Sequence, residues 1–339
     1  MAMYKVISTF SGIGGSSQGY KQAGLDVVAS VEFLDYQARI YKANHKDTRV
    51  YQEDIRKLDP LEILRELDIK PRELDILDGS PPCSSFSTAG NIDDGWGKAK
   101  KYGNKVQRTD DLFLEYIRFI DKIQPKVFVA ENVSGLIKGV SKGHFNEFFR
   151  LFKSCGYQVS AKLLNASNYY VPQKRQRIIF IGVRNDLNIA PSFPEPSIKK
   201  ITLSEAFKDI VNSYEELDEV NITKYAIHKE LVKLSIYGKS SKYLNLLKES
   251  PFEPCRTLTA TASQIGAASV CHWDNRKFTI PELKRIASFP DEYIILGNNY
   301  NEKAEGLGRC VPPKMMEAIA RNIKLNILDK QRNNNDGRI

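Results

Sequence analysis

Four short stretches of this 339-residue chain hold residue types that could do chemistry. In Phe10-Ser11-Gly12-Ile13-Gly14-Gly15 the glycines allow backbone to approach a ligand closely, although Ser17 stands where a G-x-G-x-x-G pattern would place its last glycine. Glu32 is suited to accept hydrogen bonds from ribose hydroxyls, and Asp54 to hold an adenine amino group. This trio describes either a site for a nucleoside-containing cofactor or a tight turn with two surface acids. In Asp78-Gly79-Ser80-Pro81-Pro82-Cys83-Ser84-Ser85 a cysteine follows the end of an apolar strand, where two prolines force the chain outward. Most lone cysteines are small core residues, but this placement suits a nucleophile. Glu131 follows the apolar run Val127-Phe128-Val129-Ala130, at a core rim where desolvation favours a protonated carboxyl; alternatively it caps the next segment. Arg175 and Arg177, within Gln173-Lys174-Arg175-Gln176-Arg177, read in isolation as a surface pair.

The elements around these stretches alternate. Strands are expected over 4–10, 27–33, 74–77, 126–130 and 177–183, and helices from Gly15 to Gly24 and over 36–44, 112–123 and 145–155. Such alternation predicts an α/β fold whose mostly parallel sheet is covered by helices on both faces, with ligands at the carboxyl ends of the strands. All four stretches fall at strand ends. From about Asn185 the rhythm stops in a proline-containing segment, then a stretch rich in Lys and Tyr. The expected division is a catalytic and cofactor-binding domain over 1–185, completed by about 305–328, a smaller domain and hinge over 186–304, and a frayed tail over 329–339.

Composition narrows the class. With 42% hydrophobic and 27% charged residues a sizeable core is expected, and 50 Lys and Arg against 41 Asp and Glu leave a net +9 compatible with a polyanionic partner. Five scattered cysteines and four histidines without ligand spacing argue against a disulfide framework and a metal site, and for a reducing cytoplasm. No apolar run reaches the length of a membrane span.

Taken in order, the four stretches resemble the motif series of the C5-cytosine DNA methyltransferases of restriction-modification type. The likeness continues in Arg256-Thr257-Leu258-Thr259-Ala260, Phe289-Pro290-Asp291 and the run from Gly308 to Pro312, and covers most of the chain outside about 185–254. It implies a Rossmann-like S-adenosylmethionine-dependent sheet, with a smaller target-recognition domain. It also implies methyl transfer to C5 of a cytosine flipped out of duplex DNA, with S-adenosylhomocysteine as coproduct and no metal. By resemblance Cys83 attacks C6, Glu131 stabilises charge at N3, Arg175 binds O2 and favours the thiolate, and Arg177 completes the catalytic set. Phe10, Gly12, Gly14, Gly15, Glu32, Asp54 and Pro81 would hold the cofactor.

Residues 90–108, with Lys98, Lys100, Lys101, Lys105 and Arg108 beside Trp96 and Tyr102, match the family's active-site loop. The recognition segment 221–250 has six lysines against two glutamates, with tyrosines interleaved. DNA contacts are expected from Ser85, Lys98, Lys101, Gln173, Tyr237, Lys239 and Lys242. The implied partner is double-stranded DNA met by a monomer, with room for a cognate restriction endonuclease acting separately. Two departures stand out: Ser84 where bacterial members usually carry glutamine, and Arg309 where asparagine is usual. Three other readings fit these residues less well. A tRNA cytosine methyltransferase lacks its Cys-Phe-Thr signature here. A catalytically dead DNA-binding subunit conflicts with the intact Cys83, Glu131 and Arg175. A nicotinamide oxidoreductase leaves Pro82-Cys83 and Glu131-Asn132 unexplained.

Overall fold

The computed structural model describes residues 3–82, 100–102, 105–107, 111–137, 142–243, 246–260 and 270–336, as backbone alone at 100–102, 105–107, 142 and 335–336. Its first half builds β1 (Lys5–Thr9), α1 (Gly15–Gln22), β2 (Asp26–Val31), α2 (Asp35–Asn44), β3 (Arg49–Tyr51), α3 (Pro60–Glu66), β4 (Ile76–Gly79), α4 (Leu112–Ile123), β5 (Val127–Val133), α5 (Lys142–Ser154), β6 (Tyr157–Asn165) and β7 (Gln176–Arg184). The seven strands form one sheet in the order β3-β2-β1-β4-β5-β7-β6. Pairing is parallel from β3 to β5, while β7 runs antiparallel to both of its neighbours. Strands β6 and β7 are consecutive in the chain, and a short connection between adjacent strands forces the antiparallel sense.

The inner strands are continuous apolar runs because both faces are covered. One face packs on α3, α4 and α5 through Phe113, Phe119, Ile120, Phe128, Phe152 and Phe180. The other packs on α1 and α11 (Pro313–Ile323) through Tyr20, Met315, Met316, Ile319 and Ile323. Each of those fully buried α11 side chains contributes on the order of 2 kcal/mol. Helices α1 and α11 approach so closely that a Cβ on Gly19 would meet the Pro313 carbonyl oxygen at 2.5 Å and Met316 Cβ at 2.7 Å.

The second region holds α6 (Leu203–Ala206), α7 (Tyr214–Glu219), α8 (Ala226–Lys233), α9 (Ile280–Ile286) and α10 (Tyr300–Arg309). Its core gathers Leu258, Phe278, Leu283, Ile286, Phe289 and Tyr293. Ala304, Leu307 and Cys310 pack in this second core and Val311 in the first. Residues Lys324–Leu328 continue α11 as a π-helical turn and α12 (Asp329–Asp336) follows, held as Tyr4 Oη donates to Asp329 Oδ1 at 2.7 Å and Arg332 lies 4.4 Å over the Tyr4 ring. Among the described residues no helix is long and apolar enough to cross a membrane.

Candidate functional site

The carboxyl ends of β1, β2, β4 and β5 open into a cavity of about 760 Å³, within the usual range for a small-molecule site. Phe10, Gly12, Ile13, Glu32 and Asp54 line it, and so do Pro81, Pro82, Glu131, Arg175, Arg177 and the Thr257–Ala260 and Gly308–Val311 segments. Stretches far apart in sequence therefore meet: some follow β1, β2, β4 and β5, Arg175 and Arg177 stand at the start of the antiparallel β7, and the second region supplies the remaining wall.

The turn after β1 is left-handed at Phe10 (φ 52°), Gly12 (φ 57°) and Gly14 (φ 92°). Glu32, only 6% exposed at the end of β2, accepts Gly12 N at 2.8 Å on one carboxylate oxygen and Leu34 N at 2.7 Å on the other. Burial raises its pKa, which those amide donors only partly oppose. This carboxylate keeps lone pairs free beside the cavity, a donor set that suits a ribose diol. Gly14 and Gly15 are not among the residues that line the cavity, and both are tightly packed. A Cβ on Gly14 would meet His45 Nε2 and Tyr293 Oη at 2.5 Å, and one on Gly15 would run into the Val311 carbonyl oxygen. Asp54 lines the cavity, but its carboxylate already caps a short turn through Arg56 N (3.1 Å) and pairs with Arg56 Nη1 (2.8 Å).

At the other end, Glu131 is 8% exposed and its Oε1 lies 2.7 Å from Arg177 Nε. Strand register makes this pair. Ile179 stands opposite Glu131 and Arg177 opposite Val133, so Arg177 is one step diagonal to Glu131 on the same face. Arg175 also lines the cavity. It is 3% exposed, and its Nη1 donates to the carbonyls of Leu258 (2.8 Å) and Gly308 (2.9 Å), its Nη2 to that of Arg309 (3.3 Å). Its pKa is lowered, by burial first and by Arg177 second. With three carbonyls around it, Arg175 ties β7 to the second region, and Arg177 is the arginine that meets Glu131.

Gln173, expected at the DNA, is 1% exposed. It bridges Ile286 O (3.3 Å) and Leu258 N (3.1 Å), an internal tie between the stretch before β7 and the second region. Tyr237 lies between two cations, Lys174 Nζ at 5.0 Å and the Arg256 guanidinium at 4.5 Å from its ring. Lys239 and Lys242 are exposed. Cys83, Ser85 and Lys98 lie outside the described residues. Around Lys101 the backbone pairs Lys100–Tyr102 antiparallel to Lys105–Gln107. The four cysteines within the described residues are poor nucleophiles, since burial raises Cys155 and Cys310 to about 11 and Cys271 to about 12, and pushes Cys255 well up too.

Sequence reasoning missed several positioning groups. Asn132 donates from Nδ2 to Pro81 O (3.3 Å) and accepts Val133 N (2.8 Å), which aligns the Pro81-Pro82 step; its place beside Glu131 was the available signal. Tyr116 Oη, from α4, reaches the carbonyls of Leu77 and Val129, and nothing in its helical spacing marks it.

Asp78, at the end of β4, is 1% exposed and accepts Ser8 Oγ (2.9 Å) and Tyr20 Oη (3.2 Å). Burial, with Glu131 adding repulsion, raises it to about 7. The folded state thus holds a proton that the unfolded chain has released from about pH 4 upward, so stability falls as pH rises through that window, by on the order of 4 kcal/mol from this group. Asp78→Asn is expected to lose this slope. Melting curves at pH 5 and pH 8 should show its advantage over the wild type growing with pH, and parallel curves would refute this.

A family model described as C-5 cytosine-specific DNA methylase matches residues 4–325. The chain is similar to the Type II methyltransferase M.NgoPII of Neisseria gonorrhoeae, 31% identical over 94% of this chain and 95% of that one. It is likewise 31% identical to M1.HphI of Haemophilus parahaemolyticus, over 93% of this chain and 85% of that one. In fold it is similar to an Escherichia coli prophage protein solved as a candidate DNA modification methyltransferase, with TM-score 0.74, 23% identity, and 96% and 99% of the two chains covered. A Spodoptera frugiperda DNMT2 mutant superposes with TM-score 0.68 at 20% identity, covering 93% of this chain and 97% of that one.

Proposed function

Because the chain belongs to the C-5 cytosine-specific DNA methylase family, we propose that it moves a methyl group from S-adenosylmethionine to C5 of a cytosine rotated out of a specific duplex sequence, through a transient bond between Cys83 and C6. The observation that carries this reading is one cavity lined at one end by the glycine turn and Glu32, and at the other by Pro82, Glu131 and Arg177. A nucleoside end and a pyrimidine end in a single space are what transfer between two bound partners requires.

The residues at the first end fit the methyl donor. Glu32 would take the ribose hydroxyls and Asp54, with the lone pairs that Arg56 leaves, the adenine amino group; Phe10 and Gly12 would border the amino-acid end and Pro81 the space between. S-adenosylmethionine supplies an electrophilic methyl group on sulfur. At the second end, the Cys83 thiolate adds to C6 while ring electrons move towards N3 and O2. Glu131 holds the proton at N3, and Arg177 orients Glu131 and faces O2. C5 is then electron-rich enough to take the methyl group, after which loss of the C5 proton expels the thiolate.

None of these groups reaches a stacked base, so the cytosine leaves the helix at a cost of a few kcal/mol. Lys239 and Lys242, exposed on the second region, would contact phosphates, and Ser85, Lys98 and Lys101 the strand around the flipped base. The designation of its relatives as Type II methyltransferases supports a modification role beside a separate restriction endonuclease.

The test is transfer of labelled methyl groups from S-adenosylmethionine. Duplex DNA is expected to be labelled and tRNA not, with bisulfite sequencing of plasmid from expressing cells showing one protected sequence. Label in tRNA alone would overturn the DNA reading.

A further inference from the structure

The cofactor turn is not held by its own domain alone. Tyr293, 4% exposed in the second region, donates from Oη to the carbonyl of Ile13 at 2.5 Å, in the middle of the turn. The same oxygen lies 3.0 Å from Nε2 of His45, which is 1% exposed at the end of α2. Both groups press against Gly14, where no side chain would fit. Next to this contact the Asn44 amide reads the Ile294 backbone at both poles, accepting Ile294 N at 2.7 Å and donating to Ile294 O at 2.8 Å. Segment 293–294 is thus docked on α2 and on the turn by groups from both sides.

We propose that Tyr293 is a positioning residue for the cofactor, through which docking of the second region sets the conformation of the Phe10–Gly14 turn and so the affinity for the methyl donor. This rests on the reading of the cavity as the S-adenosylmethionine site. The turn has left-handed backbone at Phe10, Gly12 and Gly14, and two of those are glycines with many alternatives open to them. Internally it is held by Gly14 N to Ser11 O at 2.9 Å, with Glu32 anchoring Gly12 N from the cavity side. Tyr293 pins the opposite side. Without its hydroxyl the Ile13 carbonyl loses a buried donor, the turn gains freedom, and ligand binding must then order it again.

The test uses the full chain and isothermal titration with S-adenosylhomocysteine, together with cofactor KM and kcat. Tyr293→Phe is expected to raise the dissociation constant and KM by roughly five- to fiftyfold, the scale of one lost buried hydrogen bond, with kcat at saturation little changed. The control is Tyr300→Phe, which removes a comparable buried bond to Phe278 O (2.7 Å) in the same core but away from the turn. It should lower the melting temperature similarly and leave the dissociation constant within about twofold. An unchanged constant in Tyr293→Phe, or an equal rise in Tyr300→Phe, overturns the inference. Should Tyr293→Phe fail to fold, Asn44→Asp, which sets a carboxylate against the Ile294 carbonyl, must weaken binding in the same way, and its failure to do so also overturns it. A wild-type protein that binds no S-adenosylhomocysteine removes the cavity reading itself, and the inference with it.

Discussion

Replacing Cys83 by serine is expected to lower methyl transfer to DNA by roughly ten-thousand-fold or more, the scale seen when a covalent nucleophile is removed. The reason is chemical. C5 of cytosine is not nucleophilic enough to attack a sulfonium methyl group until an electron pair has been delivered to C6, and an alkoxide at neutral pH is far scarcer than a thiolate. The remaining cysteines within the described residues cannot substitute, because burial holds each thiol in its protonated form at neutral pH. A second readout separates loss of chemistry from loss of binding. With duplex carrying 5-fluorocytosine at the target, the wild-type enzyme and S-adenosylmethionine should form an adduct stable to denaturing gels. The fluorine at C5 cannot leave as a proton does, so the Cys83–C6 bond cannot be released. Cys83→Ser should give no adduct yet keep its affinity for S-adenosylhomocysteine. A wild-type protein that methylates DNA under single-turnover conditions but never forms the adduct would refute the covalent route.

The Glu131–Arg177 pair gives the next largest effect. Glu131→Gln and Arg177→Ala are each expected to lower kcat by about a hundred- to ten-thousand-fold, the range for losing a positioned proton-transfer group. The two side chains meet at 2.7 Å and are largely buried, so each sets the other's place. The double variant should therefore lose little more than either single variant, because residues that act as a unit are non-additive. On the proposed roles at the addition step, rates of 5-fluorocytosine adduct formation should fall in parallel with kcat. Additive losses in the double variant would show two independent roles, and undiminished adduct formation in Glu131→Gln would exclude its action at N3. Arg175→Ala tests a different contact, for its Nη1 and Nη2 donate to the carbonyls of Leu258, Gly308 and Arg309.

Much of the architecture is legible in the chain, and the misses share a cause. Inner strands such as β4, β5 and β7 are buried on both faces and read as apolar runs. The two edge strands escape that reading. Strand β3 is three residues long, and β6 alternates buried and exposed positions with Lys162 and Ser160 among them. An edge strand is covered on one side only, so its composition resembles a loop. The second region hides its core in short helices and turns.

By itself the sequence determined the reaction class, the order of the motifs and the residue types at each strand end, because chemistry demands a thiol, an acid, a guanidinium and a tight glycine turn at positions a parallel sheet brings together. Tertiary structure alone decided which of two arginines meets Glu131, why Gly14 and Gly15 must be glycines, and that Gln173 faces inward. Those outcomes depend on which carbonyl, ring or helix stands within about 3 Å across a fold, at hydrogen-bond range. Neighbours tens to hundreds of residues away along the chain leave no trace in the local pattern of either partner.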